Sequence, residues 1–278
     1  MNTFPISRDE LRASNVKVFE DTMDRIRRDK DLRNASERNK SETEYIAPDE
    51  KMKMPREKYE KDAEIKVSGK RTAEALYGYR EKHAALLNFA SAWSPGGGVR
   101  KGSGAQEESL CRISTLYPAL AYNEKAKPYY DYHHSLSGYD YSDAMLFTPR
   151  VVFFKSDETI PEPLEREKWK EADVITAPAP NIKKEGWAYM KEERKAEITN
   201  IFRRRIRRIF SLAADKNAEV LILGAFGCGA FGNSPTAVAS VFKEVIPEFA
   251  KCFETIEFAV FTTPGNDENY RVFSSVLL

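Results

Sequence analysis

Ala84-Ala85-Leu86-Leu87-Asn88-Phe89-Ala90, followed by Pro95-Gly96-Gly97-Gly98 and then Gln106-Glu107-Glu108, is the stretch whose reading decides the fold. The apolar residues Ala84 to Leu87 read as a short buried strand, and the Pro and Gly cluster ends it without Cβ atoms that would crowd a ligand. Ser103 stands three residues before Gln106, the spacing of a capping box, which predicts a helix starting near Gly104. Strand, glycine loop and helix N-terminus together make a cradle for a phosphate or sugar phosphate. Glu107 and Glu108 stand about 100° apart on such a helix and point to different places. Acids in a first helical turn also serve its dipole, so the pair has an ordinary structural reading beside the functional one.

Outward from this stretch the chain alternates strand and helix. Ile65 to Val67, Val151 to Phe154, Val174 to Ala177, Val220 to Leu223 and Ile256 to Phe261 are short apolar runs of the kind found in sheets covered on both faces. Helical spacing marks Thr72 to Arg80, Glu107 to Tyr122, Arg194 to Ala214 and Ala237 to Phe249. The pattern predicts a three-layer α/β/α domain. The strand from Glu219 runs into Gly227-Cys228-Gly229-Ala230-Phe231-Gly232, and Asn233-Ser234-Pro235 opens the next helix with a cap and a first-turn proline. This is a second anion cradle. Its literal Gly-x-Gly-x-x-Gly match fails as a dinucleotide fingerprint, because it comes late in the chain and Glu254 precedes the next strand rather than ending it.

The chain has 278 residues, 41% of them hydrophobic, and 44 basic against 43 acidic residues. That is enough for a sizeable core, and near-neutrality gives no general grip on nucleic acid or membrane, so an acidic ligand is held locally. No apolar run approaches the roughly 20 residues of a membrane span, and Met1-Asn2-Thr3-Phe4-Pro5 leads into charge rather than a secretory segment. The expected compartment is the cytoplasm. Cys111, Cys228 and Cys252 are odd in number and widely spaced, which favours reduced thiols over disulfides or zinc. His83, His133 and His134 have no acidic residue at metal-ligand spacing, so no metal and no cofactor is expected, and His133-His134 reads as part of a surface loop. Ser7 to Glu10 is another capping-box spacing, with Leu11, Phe19, Met23 and Ile26 at helical intervals behind it. The charged region that follows reads as a solvated helix and linker, with a flap or partner-binding arm as the functional alternative. The Arg203-Arg204-Arg205 and Arg207-Arg208 cluster reads as the solvated side of a helix whose core stripe is Ile201, Phe202, Ile206 and Ile209.

The triple glycine, its spacer of Val99 to Ala105 and Gln106-Glu107-Glu108 resemble the signature of the poly(ADP-ribose) glycohydrolases. Gly227 to Gly232 resembles that family's second loop, and Tyr141-Ser142-Asp143 and Thr176-Ala177-Pro178-Ala179-Pro180-Asn181 are similar to segments of its microbial branch. The likeness runs from about residue 65 to about residue 265. It implies a macrodomain with a central mixed sheet over 65–278, carrying a charged, helical N-terminal extension over 1–64. It also implies binding of ADP-ribose and poly(ADP-ribose), action on ADP-ribosylated macromolecules, no membrane partner, and cleavage of ribose-to-ribose O-glycosidic bonds.

On this resemblance Glu108 is the proton-transferring acid, and Glu107 and Asn88 hold ribose hydroxyls. Gly96, Gly97, Gly98, Gly227, Cys228, Gly229, Ala230 and Gly232 form the anion cradles. Gln106 supports the first loop, Phe231 the ribose being cleaved, and Phe261 stacks on adenine. Phe231 and Phe261 also have the ordinary reading of core aromatics. Two other activities fit the same residues: an ADP-ribosyl hydrolase acting on mono-ADP-ribosylated protein or nucleic acid, and an ADP-ribose-binding macrodomain without catalysis.

Overall fold

The computed structural model describes residues 7–53 and 56–278; Met1 to Ile6 and the Met54-Pro55 pair lie outside the described residues. In chain order the strands are β1 (Glu44–Ile46), β2 (Glu64–Ser68), β3 (Ala84–Phe89), β4 (Met145–Phe153), β5 (Lys170–Ala177), β6 (Val220–Leu223) and β7 (Thr255–Ala259). They form one sheet ordered β1-β4-β5-β3-β6-β7-β2. β5, β3, β6, β7 and β2 are mutually parallel, and β4 is antiparallel to both of its neighbours. The sheet is therefore mixed, as the resemblance implies.

Helices α1 (Arg8–Arg28), α2 (Lys30–Glu42), α3 (Thr72–Leu76), α4 (Gln106–Ile113), α5 (Leu116–Ala121), α6 (Lys127–Ser135), α7 (Glu192–Asp215), α8 (Pro235–Val245) and α9 (Glu268–Leu277) lie over its two faces. Strand alternation assigns the layers. Ala85 and Leu87 of β3 and Leu221 and Leu223 of β6 join a core with Ile206 and Phe210 of α7, Phe242 of α8 and Phe273 of α9. Ala84, Leu86, Val220 and Ile222 join the opposite core with Leu76 of α3, Leu110 and Ile113 of α4 and Tyr129 of α6. With both faces covered, β3 and β6 read as unbroken apolar runs. Among the described residues no helix is long and apolar enough to cross a membrane.

The Ser7 capping box is present, with Glu10 N–H on the Ser7 hydroxyl, and the α1 stripe buries Phe19 and Ile26. Tyr45 and Ile46, expected in a linker, instead form β1 on the edge of β4. Asn39 of α2 donates to the Pro149 and Arg150 carbonyls at 2.7 and 3.1 Å, where β4 departs from regular pairing with β5. These buried polar contacts tie α2 to the sheet.

Several expectations at helix ends are corrected. Ser103 does not cap α4, whose N-cap is Ala105 with no side-chain bond, and Gln106 turns its amide to the sheet instead. The expected helix from Glu107 to Tyr122 breaks at Ser114, which takes an extended conformation and bridges to Phe153. α3 stops at Leu76 rather than Arg80. His133 belongs to α6, not a surface loop: it is fully buried, its Nδ1 donates to the Tyr129 carbonyl, its Nε2 accepts from Ser142, and burial pushes its pKa down to about 4. In the arginine cluster Arg205 and Arg208 are buried rather than solvated, and Arg208 donates to the Ala47 and Glu50 carbonyls.

Candidate active site

The two glycine loops follow the carboxyl ends of the adjacent parallel strands β3 and β6, where open α/β sheets place their ligands. Gln106 fixes the first loop to its strand. Its Oε1 accepts Phe89 N–H at 2.9 Å, while Nε2 donates to the Leu87 carbonyl at 2.7 Å and to the Thr72 hydroxyl at 3.1 Å. The two acids diverge from there. Glu107 turns inward: Oε2 accepts Ser91 N–H at 2.8 Å, and Oε1 lies 3.4 Å from the Asn88 amide nitrogen, which also donates to Thr176 at 3.2 Å. Glu108 turns to the glycines, its Oε1 accepting Gly98 N–H at 2.8 Å. Among the described residues no protein donor takes its Oε2.

Both carboxyls are buried, and burial is the main reason the Glu107 pKa is pushed up to about 8. The Ser91 hydrogen bond opposes the rise and the neighbouring Glu108 charge adds to it. Glu107 thus retains a proton at neutral pH.

Gly97 has φ +56°, and a Cβ there would stand 2.5 Å from Glu108 Oε1, so only glycine lets the carboxylate this close to the loop.

The second loop is held from behind. Asn233 Nδ2 donates to the Gly227 carbonyl at 3.0 Å and the Pro180 carbonyl at 2.7 Å. Arg205 joins two further segments by donating to Asp143 at 3.1 Å, the Pro178 carbonyl at 2.7 Å and the Asp140 carbonyl at 3.1 Å. Tyr141-Ser142-Asp143, Thr176 to Asn181 and Gly227 to Gly232, scattered in sequence, therefore form one scaffold. Phe231 accepts Ile182 N–H at its carbonyl, and its ring lies 6.2 Å from that of Tyr141.

A cavity of about 470 Å³ opens between the loops. Of the predicted residues, Glu107, Glu108, Gly97, Gln106, Gly227, Gly229, Ala230, Phe231 and Phe261 line it. Asn88 stands behind Glu107 with a buried Oδ1 that has no partner among the described residues. Gly96, Gly98, Cys228 and Gly232 shape the loops without lining the cavity; the Cys228 side chain packs against the core. Phe261 is 43% exposed, and the Arg71 guanidinium lies 3.9 Å from its ring centre. Arg71, Ser91, Asp157 and Asn269 also line the cavity and were not anticipated. They come from four separate segments and share no motif. Asp157 is buried, which raises its pKa, and accepts from Ala73 N–H at 2.9 Å and the Ser109 hydroxyl at 3.0 Å. Among the described residues no group of three or more His, Cys, Asp or Glu side chains is arranged to hold a metal ion.

Fold and site together define a macrodomain-like α/β protein with two acids set between two glycine loops. The family model described as microbial-type PARG, catalytic domain, matches residues 16–156, and the chain belongs to that family. Its fold is similar to the crystal structure of poly(ADP-ribose) glycohydrolase from Thermomonospora curvata, at 28% identity and TM-score 0.83, covering 95% of this chain and 99% of that one. The same enzyme bound to the inhibitor ADP-HPD matches with TM-score 0.80, at the same identity and coverage. The poly(ADP-ribose) glycohydrolase of Deinococcus radiodurans in complex with ADP-ribose matches at 31% identity and TM-score 0.74, over 87% of this chain and 98% of that one. No curated protein sequence matches the chain.

Proposed function

We infer that the protein is a poly(ADP-ribose) glycohydrolase, a glycosidase that hydrolyses ribose-to-ribose O-glycosidic bonds and releases ADP-ribose. One observation carries this reading: in a chain of the microbial PARG family, two buried carboxyls face a single cavity between two glycine loops. The glycine loops offer backbone N–H groups to the diphosphate. Phe261, at the exposed rim, offers a ring for adenine, and Phe231 supports the ribose whose bond is cleaved.

Glu108 is assigned the proton transfer because one of its oxygens is held by Gly98 N–H and the other has no protein donor among the described residues. Glu107 has both oxygens placed by Ser91 and Asn88, which suits it to receive ribose hydroxyls. A hydroxyl donated to Glu107 favours its ionised form, which suits Glu107 to holding substrate rather than giving up a proton. As the glycosidic bond breaks, Glu108 as the acid gives a proton to the departing ribose oxygen and an oxocarbenium-like centre forms. Water then attacks this carbon and passes a proton back to Glu108, restoring the acid.

All these groups lie after residue 64, so we assign the reacting groups to 65–278 and a bracing role to 1–64. A cytoplasmic location is supported by three free cysteines, two of them buried.

The test is a comparison of purified protein on poly(ADP-ribose) and on mono-ADP-ribosylated protein, with free ADP-ribose as the product followed. Release from polymer is the expected result. Release from the mono-modified protein with intact polymer would transfer the activity to the mono-ADP-ribosyl hydrolases.

A further inference from the structure

The spacer between the triple glycine and Gln106-Glu107-Glu108 is gripped from two sides. Inside, Gly98 N–H holds Glu108, and the Ser103 hydroxyl fills the space beside Gly98 that a Cβ would need. Arg112, one turn beyond Glu108 on α4 and itself buried, donates from Nη1 to the Ser103 carbonyl at 2.5 Å. Outside, α1 closes on the same turn. Asn15 is only 4% exposed, and its Nδ2 donates to the Gly102 carbonyl at 3.1 Å. Gly102 has φ +74°, and any Cβ there would collide with the Arg12 carbonyl, so helix backbone and turn backbone are in direct contact. Further along α1 the Thr22 hydroxyl donates to the Arg112 carbonyl, and Phe19 meets the Tyr117 ring edge-on at 4.8 Å.

We propose that Asn15 of α1 is a positioning residue for Glu108, holding the Val99 to Ala105 turn so that Gly98 N–H stays on the catalytic carboxylate. A buried amide is a costly residue on a helix face unless its polar atoms are used, and this one is used at a carbonyl of the catalytic turn. The chain of contacts runs from Asn15 through Gly102 and Ser103 to Gly98 and Glu108. It touches the acid and leaves the second loop and Phe261 alone. α1 thereby acts on turnover more than on binding.

The inference rests on the assignment of Glu108 above. Asn15→Leu keeps the volume of the side chain and removes the donor. Turnover of polymer is expected to fall roughly tenfold, with KM and ADP-ribose Kd within about threefold of the parent. Ile26→Ala, on the same helix but in a separate cluster with Leu32 and Phe154, is the control for general destabilisation; it should lower Tm and leave kcat unchanged. If Asn15→Leu does not fold, Asn15→Ser, too short to reach the Gly102 carbonyl, is read the same way. Parental kcat in the Asn15 variant, or an equal loss of kcat in Ile26→Ala at matched Tm, overturns the proposal. Glu108→Gln run alongside separates the failures: an inactive Glu108→Gln with a fully active Asn15 variant removes only the brace. A fully active Glu108→Gln removes the underlying assignment.

Discussion

The two glycine loops look alike in sequence and differ at the residue that faces the ligand. In the first, the space a Cβ would fill is taken by protein atoms, Glu108 Oε1 at Gly97 and the Ser103 hydroxyl at Gly98. In the second, Gly227 is likewise packed, against Ala179 and Asn233, but Gly229 has nothing within 4 Å of a Cβ position and faces the cavity beside exposed Ala230. Glycine in the first loop lets the protein's own acid approach backbone. At Gly229 of the second it leaves space for a ligand. One loop presents chemistry and the other receives charge, and the contrast can be broken by substitution.

The largest effect is expected at Gly97→Ala, where the new methyl meets Glu108 Oε1 and the positive φ strains any other residue. Turnover should fall by roughly a hundredfold or more while the fold survives; steady-state kinetics with circular dichroism would check both. Phe231→Ala removes a ring that lines the cavity and should slow turnover and weaken ADP-ribose binding together, each by about tenfold. Unchanged kinetics and affinity would show that the ring serves only packing.

Glu107→Gln gives a stability signature. The folded protein keeps a proton on Glu107 up to about pH 8, whereas an unfolded carboxyl loses it near 4.5. The folded state therefore binds more protons across that window, and parental stability falls as pH rises through it. Gln has no such penalty, so the variant's Tm relative to the parent should climb by several degrees between pH 5 and 8. A difference that stays flat with pH would remove the retained proton. Smallest is Gly229→Ala: Tm should be unchanged and ADP-ribose affinity should fall by only about threefold, as a methyl enters the ligand's side of the loop.

Legibility followed burial on both faces and local spacing. β3 and β6 were readable because their neighbours bury every residue of the core run, and Gln106-Glu107-Glu108 because the triple glycine precedes it. The break at Ser114 was not. Its hydroxyl bonds back to the Leu110 carbonyl at 2.7 Å and accepts Leu116 N–H at 3.2 Å, a local alternative to helix that apolar periodicity cannot register. Arg205 was hidden by its company. Standing three residues after Phe202 and four before Ile209 it shares their buried stripe, so spacing did carry a signal, but a run of arginines read as surface. Arg71, Asp157 and Asn269 reach the cavity from distant segments, and only the fold brings them together. Asn15 is a polar residue between Leu11 and Phe19, and its burial depends on a contact 87 residues away that local spacing does not show.

The division of labour between the adjacent acids is tested most directly by Glu108→Gln against Glu107→Gln, each assayed for ADP-ribose release from polymer and for ADP-ribose binding. Glu108→Gln keeps shape and hydrogen bonding but has no titratable proton. It should cut turnover by roughly 10² to 10⁴, or more, while ADP-ribose still binds, and Glu107→Gln should mainly impair substrate placement, appearing in KM. Polymer cleaved by Glu108→Gln at the parental rate would contradict the mechanism.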